Sequence, residues 1–534
     1  MYKELKINNK DYSVNKDSYV KNNLNIDGKC VFKKYDSKEK RKQKFDEMLN
    51  KKIIFNNKIY FIGFGSIGRP LFWILLKMLV IDIKNITIID KRDISMELKK
   101  LCPNNNGIKV IKTQLNQNNY LDLLKNLSFN DLIVDVANDI STIDIMKLSQ
   151  KRGCNYISSC IQEWDKFEVY GTKKLFNDFS IRETHKRINE FNKTIVNKNF
   201  NGIVSMGCNP GNVSVWVKFG LLKIAKERNI SVKESNNSIK EYNLLAKELG
   251  VQTIHISEKD TQRTNNPKKF GEYCNTWSMT VDSYYGEALS CLEISWGTHE
   301  PKIKDEFRKD EIINNDEDYL ISSKIGIYSY AQSWVPICNR YIGNLIPHDE
   351  SYTIGEFLTI KNNGIIDYKP SVYYVYHASN DAMSSLDEFK QNNENKQDNY
   401  RLLTDEIIDG RDILGLTYYL KDKSSYWIGS LLSIQESRNL FNHEIDEFIN
   451  ATNVQVVAGY LSGILYFIDL GNEKKGKMSP DDLPEYLITY QLPFLGEFIF
   501  DKKDNFQLSI IENNKTTSMG KTNDWNFKNF LIEY

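Results

Sequence analysis

The chain has 534 residues, 41% of them hydrophobic, and sets 71 Lys and Arg against 70 Asp and Glu. A formal charge of +1 offers no basic face for nucleic acid and no polybasic attraction to a membrane surface. The length suits about three domains. Eight scattered cysteines without a C-x-x-C pair argue against a zinc ribbon or a disulfide framework and fit a reducing, cytoplasmic setting.

Residues 1–56 are polar and charge-rich, densest at Lys38-Glu39-Lys40-Arg41-Lys42-Gln43-Lys44. They read as a solvated extension or a short helix. No apolar signal region is visible there, and the apolar run Leu71 to Ile83 is too short to span a bilayer.

Lys58 to Ile62 is an apolar run that leads into Gly63-Phe64-Gly65-Ser66-Ile67-Gly68, and a helix-like apolar segment follows from Leu71 to Val80. The spacing has a chemical reason. Gly63 permits the tight strand-to-helix turn, Gly65 lets a pyrophosphate approach the backbone, and Gly68 lets helix and strand pack closely. The free N–H groups at the helix start, near Ser66 and Ile67, attract phosphate. Ile86 to Asp90 reads as the second strand, and Asp90 stands where a ribose hydroxyl is bound. Lys91 and Arg92 follow at once and suit a 2′-phosphate instead, so the residues alone only favour NAD over NADP.

The alternation continues. Gly107 to Ile111, Asp131 to Asp135, Cys154 to Ser158 and Gly202 to Met206 read as strands. Tyr120 to Leu127, Ile140 to Lys151 and Leu175 to Asn197 read as helices. Six strands alternating with helices predict an α/β, doubly wound parallel sheet of the Rossmann type over residues 57–206. Ligand belongs at the carboxyl ends of such strands.

After Met206 the pattern changes. Asn209-Pro210-Gly211 is a turn that opens a helix to about Arg228, and Asn229 to Ser238 reads as a surface excursion. From Val251 to about Tyr376 the chain is mostly strand-like, which predicts a larger α+β domain over residues 207–450. Leu386 to Tyr400 is very polar and reads as a loop or lid. Residues 451–534 read as apolar helices, Asp446 to Leu470 foremost, and a tail that packs back on the core.

The second half places acids beside aromatic residues or histidine. Glu258 follows His255, Glu287 follows Trp277, His299 precedes Glu300, and His348 precedes Asp349 and Glu350; His377, Asn380 and Asp381 lie farther on. Carboxylates with an indole suit an organic cation, and a histidine can move the proton that amine chemistry needs. No H-E-x-x-H or Cys/His spacing supports a metal. Trp277 alone also fits a core position.

In order, G-F-G-S-I-G, S-C-I-x-x-W, N-P-G-N-V-S, H-I-x-E-x-D-T-Q, N-T-W-S, W-G-T-H-E and H-x-E resemble the bacterial homospermidine synthase family over about Lys58 to Leu470. The resemblance implies NAD as a recycled prosthetic group in a homodimer with an NAD-binding and a larger catalytic domain. A hydride leaves putrescine, a second amine attacks the resulting imine, ammonia departs, and the hydride returns to give homospermidine. Spermidine can also donate the aminobutyl group, with release of 1,3-diaminopropane. By motif, Glu258, Trp277, His348 and Glu350 become catalytic candidates. Asn209 and Pro210 are expected at the cofactor, and Asn209, Gln162, Glu163, Glu287 and Asp381 at the substrate. The family has an acid before Pro-Trp where this chain has Gln162-Glu163-Trp164, and the Trp277–Glu287 spacing is longer than the family's. Residues 1–56 have no family counterpart. The rival readings are an NAD(P)-dependent dehydrogenase of the saccharopine or carboxynorspermidine type and a non-catalytic NAD-binding sensor.

Overall fold

The computed structural model describes residues 37–534 apart from 165–179, 197, 231–239, 278–285, 304–306, 308–310, 315, 505, 507, 513–514, 519–524 and 533–534. Two sheets make up most of it. The first is parallel and runs, edge to edge, Gly476–Met478, Asn201–Ile203, Asn155–Ser158, Leu132–Asp135, Ile59–Ile62, Ile86–Asp90, Lys109–Lys112. Its central strands are buried on both faces, as their mostly apolar runs (Ile-Tyr-Phe-Ile, Ile-Thr-Ile-Ile and Leu-Ile-Val) require. Strand order reverses between Ile59–Ile62 and Leu132–Asp135, so a crevice opens at their carboxyl ends.

The second sheet is mixed. Its main path is Phe498–Lys503, Ser425–Ser433, Arg411–Leu420, Val251–Asp260, Ser371–His377, Asn339–Ile346, Tyr330–Val335 and Leu531–Ile532, with Cys291–Ser295 and Tyr319–Ile325 off that path. The Val251–Asp260 and Ser371–His377 strands are parallel and place Glu258 beside Tyr376. This is the expected Rossmann-type sheet with a larger α+β unit.

Helix Ala451–Leu470 joins the two. It begins on a capping box in which Asn450 and Asn453 satisfy each other's backbone N–H groups. It packs on the Asn155–Ser158 strand of the first sheet and on the Arg411–Leu420 and Ser425–Ser433 strands of the second. Its length and composition match a membrane span, but it is buried nearly all round inside the protein.

Several elements refine or depart from the sequence expectation. The parallel sheet has seven strands among the described residues, because Gly476–Met478 pairs with Asn201–Ile203. A three-residue strand so far along the chain carries no periodic signal. Within 1–56, residues 37–56 take the short-helix form of that reading, but the helix is not solvated all round: Lys38–Leu49 buries Arg41, Phe45 and Met48. Phe45 meets Phe441 and Phe494 edge-on, with ring centroids 5.5 and 5.2 Å away, and Arg41 pairs with buried Glu436. Its lysines hide an i, i+4, i+7 stripe. Leu386 to Tyr400 is no open lid. It starts inside helix Asn380–Gln391, which buries Ala382, Ser385, Leu386 and Phe389, and it ends in strand Asn399–Leu402 against Glu272–Asn275. The helix called over Tyr120 to Leu127 stops at Leu123.

The long polar helix runs Ile181–Thr194, and residues 175–179 and 197 of that reading lie outside the described residues, as does most of 229–238. Helix Lys240–Leu249, before the first strand of the mixed sheet, was not foreseen.

Candidate active site

The crevice at the strand ends is a cleft of about 560 Å³. One side is the glycine turn. Gly63, Gly65, Ser66 and Ile67 line it, together with Asp90 and the Val136-Ala137-Asn138-Asp139 loop. Gly63 has φ +87°, and a Cβ there would lie 3.0 Å from the Val136 carbonyl oxygen. Gly68 starts the following helix behind the cleft, where a Cβ would stand 3.1 Å from the Gly63 carbonyl oxygen. The turn therefore needs small residues at both positions, and its helix N-terminus faces the cleft as a phosphate site does.

Asp90 is more engaged than its motif suggests. Its Oδ2 accepts the Phe64 N–H at 2.7 Å, and its Oδ1 accepts the Arg92 N–H at 2.8 Å. The Arg92 guanidinium lies 3.2 Å from both oxygens and also donates to the Phe64 carbonyl. A dinucleotide fits this side: a glycine cradle, a helix start and an acid at the ribose position.

The other side comes from the mixed sheet and the Asn209–Pro210 turn, which has a cis peptide bond. Asn209, Pro210, Glu258, Trp277, Glu287 and His348 all line the cleft, with Gln162 at its edge. Glu258 is 3% exposed; its Oε2 accepts from Asn209 Nδ2 at 2.7 Å and from the Tyr374 hydroxyl at 2.6 Å. Burial pushes its carboxyl up to about 7, against the pull of those two donors. Asp260 and Asp412, directly opposite each other on neighbouring strands, lie behind it. Burial, reinforced by Asp412, raises Asp260 to about 8, and burial with Glu258 holds Asp412 well above the carboxylate range.

His348 has the opposite balance. Burial alone would favour the neutral ring. Glu350, bonded to Nδ1 at 2.6 Å, overcomes it, and Glu287 and Asp349 add to the effect, so His348 rises to about 8. With Nδ1 engaged, Nε2 is the nitrogen left to exchange a proton. Glu350 itself does not line the cleft. It is 1% exposed, and its Oε1 accepts the Gly211 N–H at 3.0 Å. The resemblance made Glu350 a catalytic candidate; in the fold it lies off the cleft, bonded to His348 Nδ1.

Two further expectations place residues elsewhere. Glu163 turns away to Arg187, 3.2 Å from its guanidinium, while Gln162 faces inward and accepts the Asp139 N–H. Asp381 opens helix Asn380–Gln391 and accepts the Lys268 N–H at 2.7 Å, off the cleft.

An aromatic row was missed. Trp277 meets Tyr376 edge-on at 5.7 Å, Tyr376 stacks on Tyr374 at 5.5 Å, and Tyr374 meets His348 at 5.0 Å. Tyr374 and Tyr376 are two apart on one strand and so share a face, the same face as Glu258. That alternation was the available signal.

Residues 59–194 match the model of the saccharopine dehydrogenase NADP binding domain. A homospermidine synthase of Mesorhizobium japonicum is 30% identical over 489 residues, which cover 89% of this chain and 96% of that protein. One of Blastochloris viridis is 32% identical over 485 residues, covering 89% and 97%. This chain belongs to the homospermidine synthase family. The crystal structure of the Legionella pneumophila homospermidine synthase in complex with NAD superposes with a TM-score of 0.79 at 30% identity, over 90% of this chain and 99% of that one. Family membership extends beyond the nucleotide unit, because the match covers 89% of the chain and not residues 59–194 alone.

Proposed function

We propose that the chain makes homospermidine, joining two putrescines with loss of ammonia or moving an aminobutyl group from spermidine with loss of 1,3-diaminopropane. The observation that carries the reading is one cleft with a glycine cradle on one side and Glu258, Trp277 and His348 on the other. NAD, held by Gly63, Gly65, Ser66 and Asp90, supplies when bound the hydride acceptor and donor of the cycle.

The chain's own residues handle charge. A diamine brings two ammonium groups, and the reacting one must lose its proton first. Glu258, raised to about 7, sits at the pKa where a carboxylate takes a proton near neutrality and returns it. His348, backed by Glu350, carries a proton below about pH 8 and can deliver it to a departing amine. Glu287 and Asp349 supply negative charge along the same wall. The faces of Trp277 and its tyrosine neighbours suit a cationic carbon–nitrogen centre, worth about 0.5–2 kcal/mol for one ring.

The dehydrogenase alternative needs a cation for an amino-acid carboxylate. Among the described residues that line the cleft, the basic ones are Lys91, Arg92 and His348; the first two adjoin Asp90 at the nucleotide end, and Glu350 claims the third. The homodimer and the cytoplasmic location belong to the same proposal, supported by the family and by cysteines that are free among the described residues. The test is to incubate the purified protein with putrescine and NAD and to analyse the polyamines by mass spectrometry. Homospermidine with ammonia supports the reading, and unchanged putrescine overturns it.

A further inference from the structure

A second histidine–carboxylate pair lies next to the first. His185 Nε2 is 2.6 Å from Asp349 Oδ1. Asp349 stands between His348 and Glu350 at the start of helix Asp349–Phe357. His185 is 1% exposed and comes from helix Ile181–Thr194 of the nucleotide-binding unit. It does not line the cleft, although Asp349 does.

The surroundings show a built contact. The Ser205 hydroxyl donates to Asp349 Oδ2 at 3.2 Å, and Ser205 holds a left-handed φ of +58° just past the Asn201–Ile203 strand. The N-terminus of the His185 helix is held from the mixed sheet: Glu293 accepts the Ile181 N–H at 2.8 Å and the Arg182 N–H at 3.3 Å. The His185 ring lies 5.4 Å from that of Tyr352, one turn along the Asp349 helix. Burial would raise Asp349, and His185 overcomes it, so the carboxyl stays below its ordinary value and ionised.

We infer that His185 is a positioning residue for the reaction, fixing through Asp349 the turn that carries His348 and Glu350. The turn is thereby referenced to the nucleotide-binding unit at Asp349 and to the Asn209–Gly211 loop at Glu350. A shift of about 1 Å in a proton-handling group is enough to cost on the order of a hundredfold in rate. The titratable groups that face this turn are Glu350, Glu287 and Asp349 around His348, His185, Lys477 and Cys160 around Asp349, and Asp481 and Cys208 around Glu350, with the Tyr374 ring 5.0 Å from that of His348.

The inference rests on the polyamine reading, and the experiment separates the two. It uses the NAD-loaded full chain, with turnover of putrescine measured for His185→Phe, His185→Gln, Asp349→Ala and the His185→Phe/Asp349→Ala double variant. In parallel, His348 is titrated by NMR, its signal assigned by loss in His348→Gln. His185→Phe is expected to lower kcat about tenfold or more with KM within about threefold, and His185→Gln, which keeps an amide donor, to recover most of the rate. The double variant is expected to turn over no more slowly than Asp349→Ala, because both changes break one chain of contacts. In Asp349→Ala the His348 midpoint falls, since a negative neighbour is gone.

Additive losses in the double variant, or a His185→Phe rate within about twofold of wild type, overturn the inference. If His185→Phe does not fold, His185→Asn, whose amide is too short to reach Asp349, takes its place in the same cycle. If the wild type makes no homospermidine, the functional reading fails, and an unmoved His348 midpoint in Asp349→Ala then counts against the inference on its own.

Discussion

The Ser66 hydroxyl donates a 2.7 Å hydrogen bond to the Trp277 carbonyl, across 211 residues of sequence. Ser66 belongs to the glycine turn and Trp277 to the aromatic row, so the contact ties the nucleotide cradle to the cation-binding wall. Asn453, at the start of helix Ala451–Leu470, donates to the Ser66 carbonyl at 3.2 Å and braces the same junction. Ser66→Ala is expected to keep NAD binding within about tenfold while lowering turnover, because the turn survives and the tryptophan loses its tether. NAD titration beside steady-state kinetics checks this. Loss of binding with unchanged turnover of the loaded enzyme contradicts it.

Trp277→Ala is expected to lose more activity than Trp277→Phe, by up to roughly thirtyfold, the equivalent of about 2 kcal/mol of cation–π attraction. Equal losses of rate mark Trp277 as a packing residue.

Gly65→Val should abolish NAD binding and leave the chain folded, since the added side chain fills space at the cleft wall where a pyrophosphate approaches. Circular dichroism and calorimetric titration decide it. A folded variant that binds NAD at wild-type affinity removes the glycine turn from the site.

The pH profile of kcat should fall on its acid side through about 7 as Glu258 takes up a proton. The Tyr374 hydroxyl favours the ionised form, so Tyr374→Phe should move that limb to higher pH. On the alkaline side, Glu350→Gln withdraws the charge that lifts His348 to about 8, and the limb should move to lower pH. Unmoved limbs in both variants detach these groups from proton transfer.

Phe45→Ala is expected to cost about 3–5 kcal/mol, the usual cost of emptying a fully buried aromatic site. Urea denaturation measures it. A loss under about 1 kcal/mol would make Lys38–Leu49 a peripheral helix after all.

The nucleotide half was legible because its signals are local. An apolar strand, a glycine turn and a terminal acid lie within about thirty residues, and each has its own steric or electrostatic reason. Glu258, Trp277 and His348 were found through acid–aromatic neighbours and the family motifs. What stayed hidden depends on register. Tyr374 and Tyr376 reach the cleft because their strand runs parallel to that of Glu258, and no spacing in the sequence states that pairing. His185 meets Asp349 across 164 residues. Glu350 was named with His348 through the H-x-E motif, which does not say that the two face different ways. A helix begins between them, and its first turn directs Glu350 inward to the Gly211 N–H. Phe45 was masked by the lysines around it.

The central claim is that a hydride leaves and returns within one cycle, so that NAD is not consumed. The most direct measurement is turnover of putrescine deuterated on both terminal carbons, with NAD far below substrate. The account predicts many homospermidine molecules per NAD, each retaining all the deuterium of its two precursors, with no build-up of reduced nicotinamide absorbance. Reduced cofactor accumulating one for one with substrate consumed, or homospermidine lacking one deuterium, would contradict it.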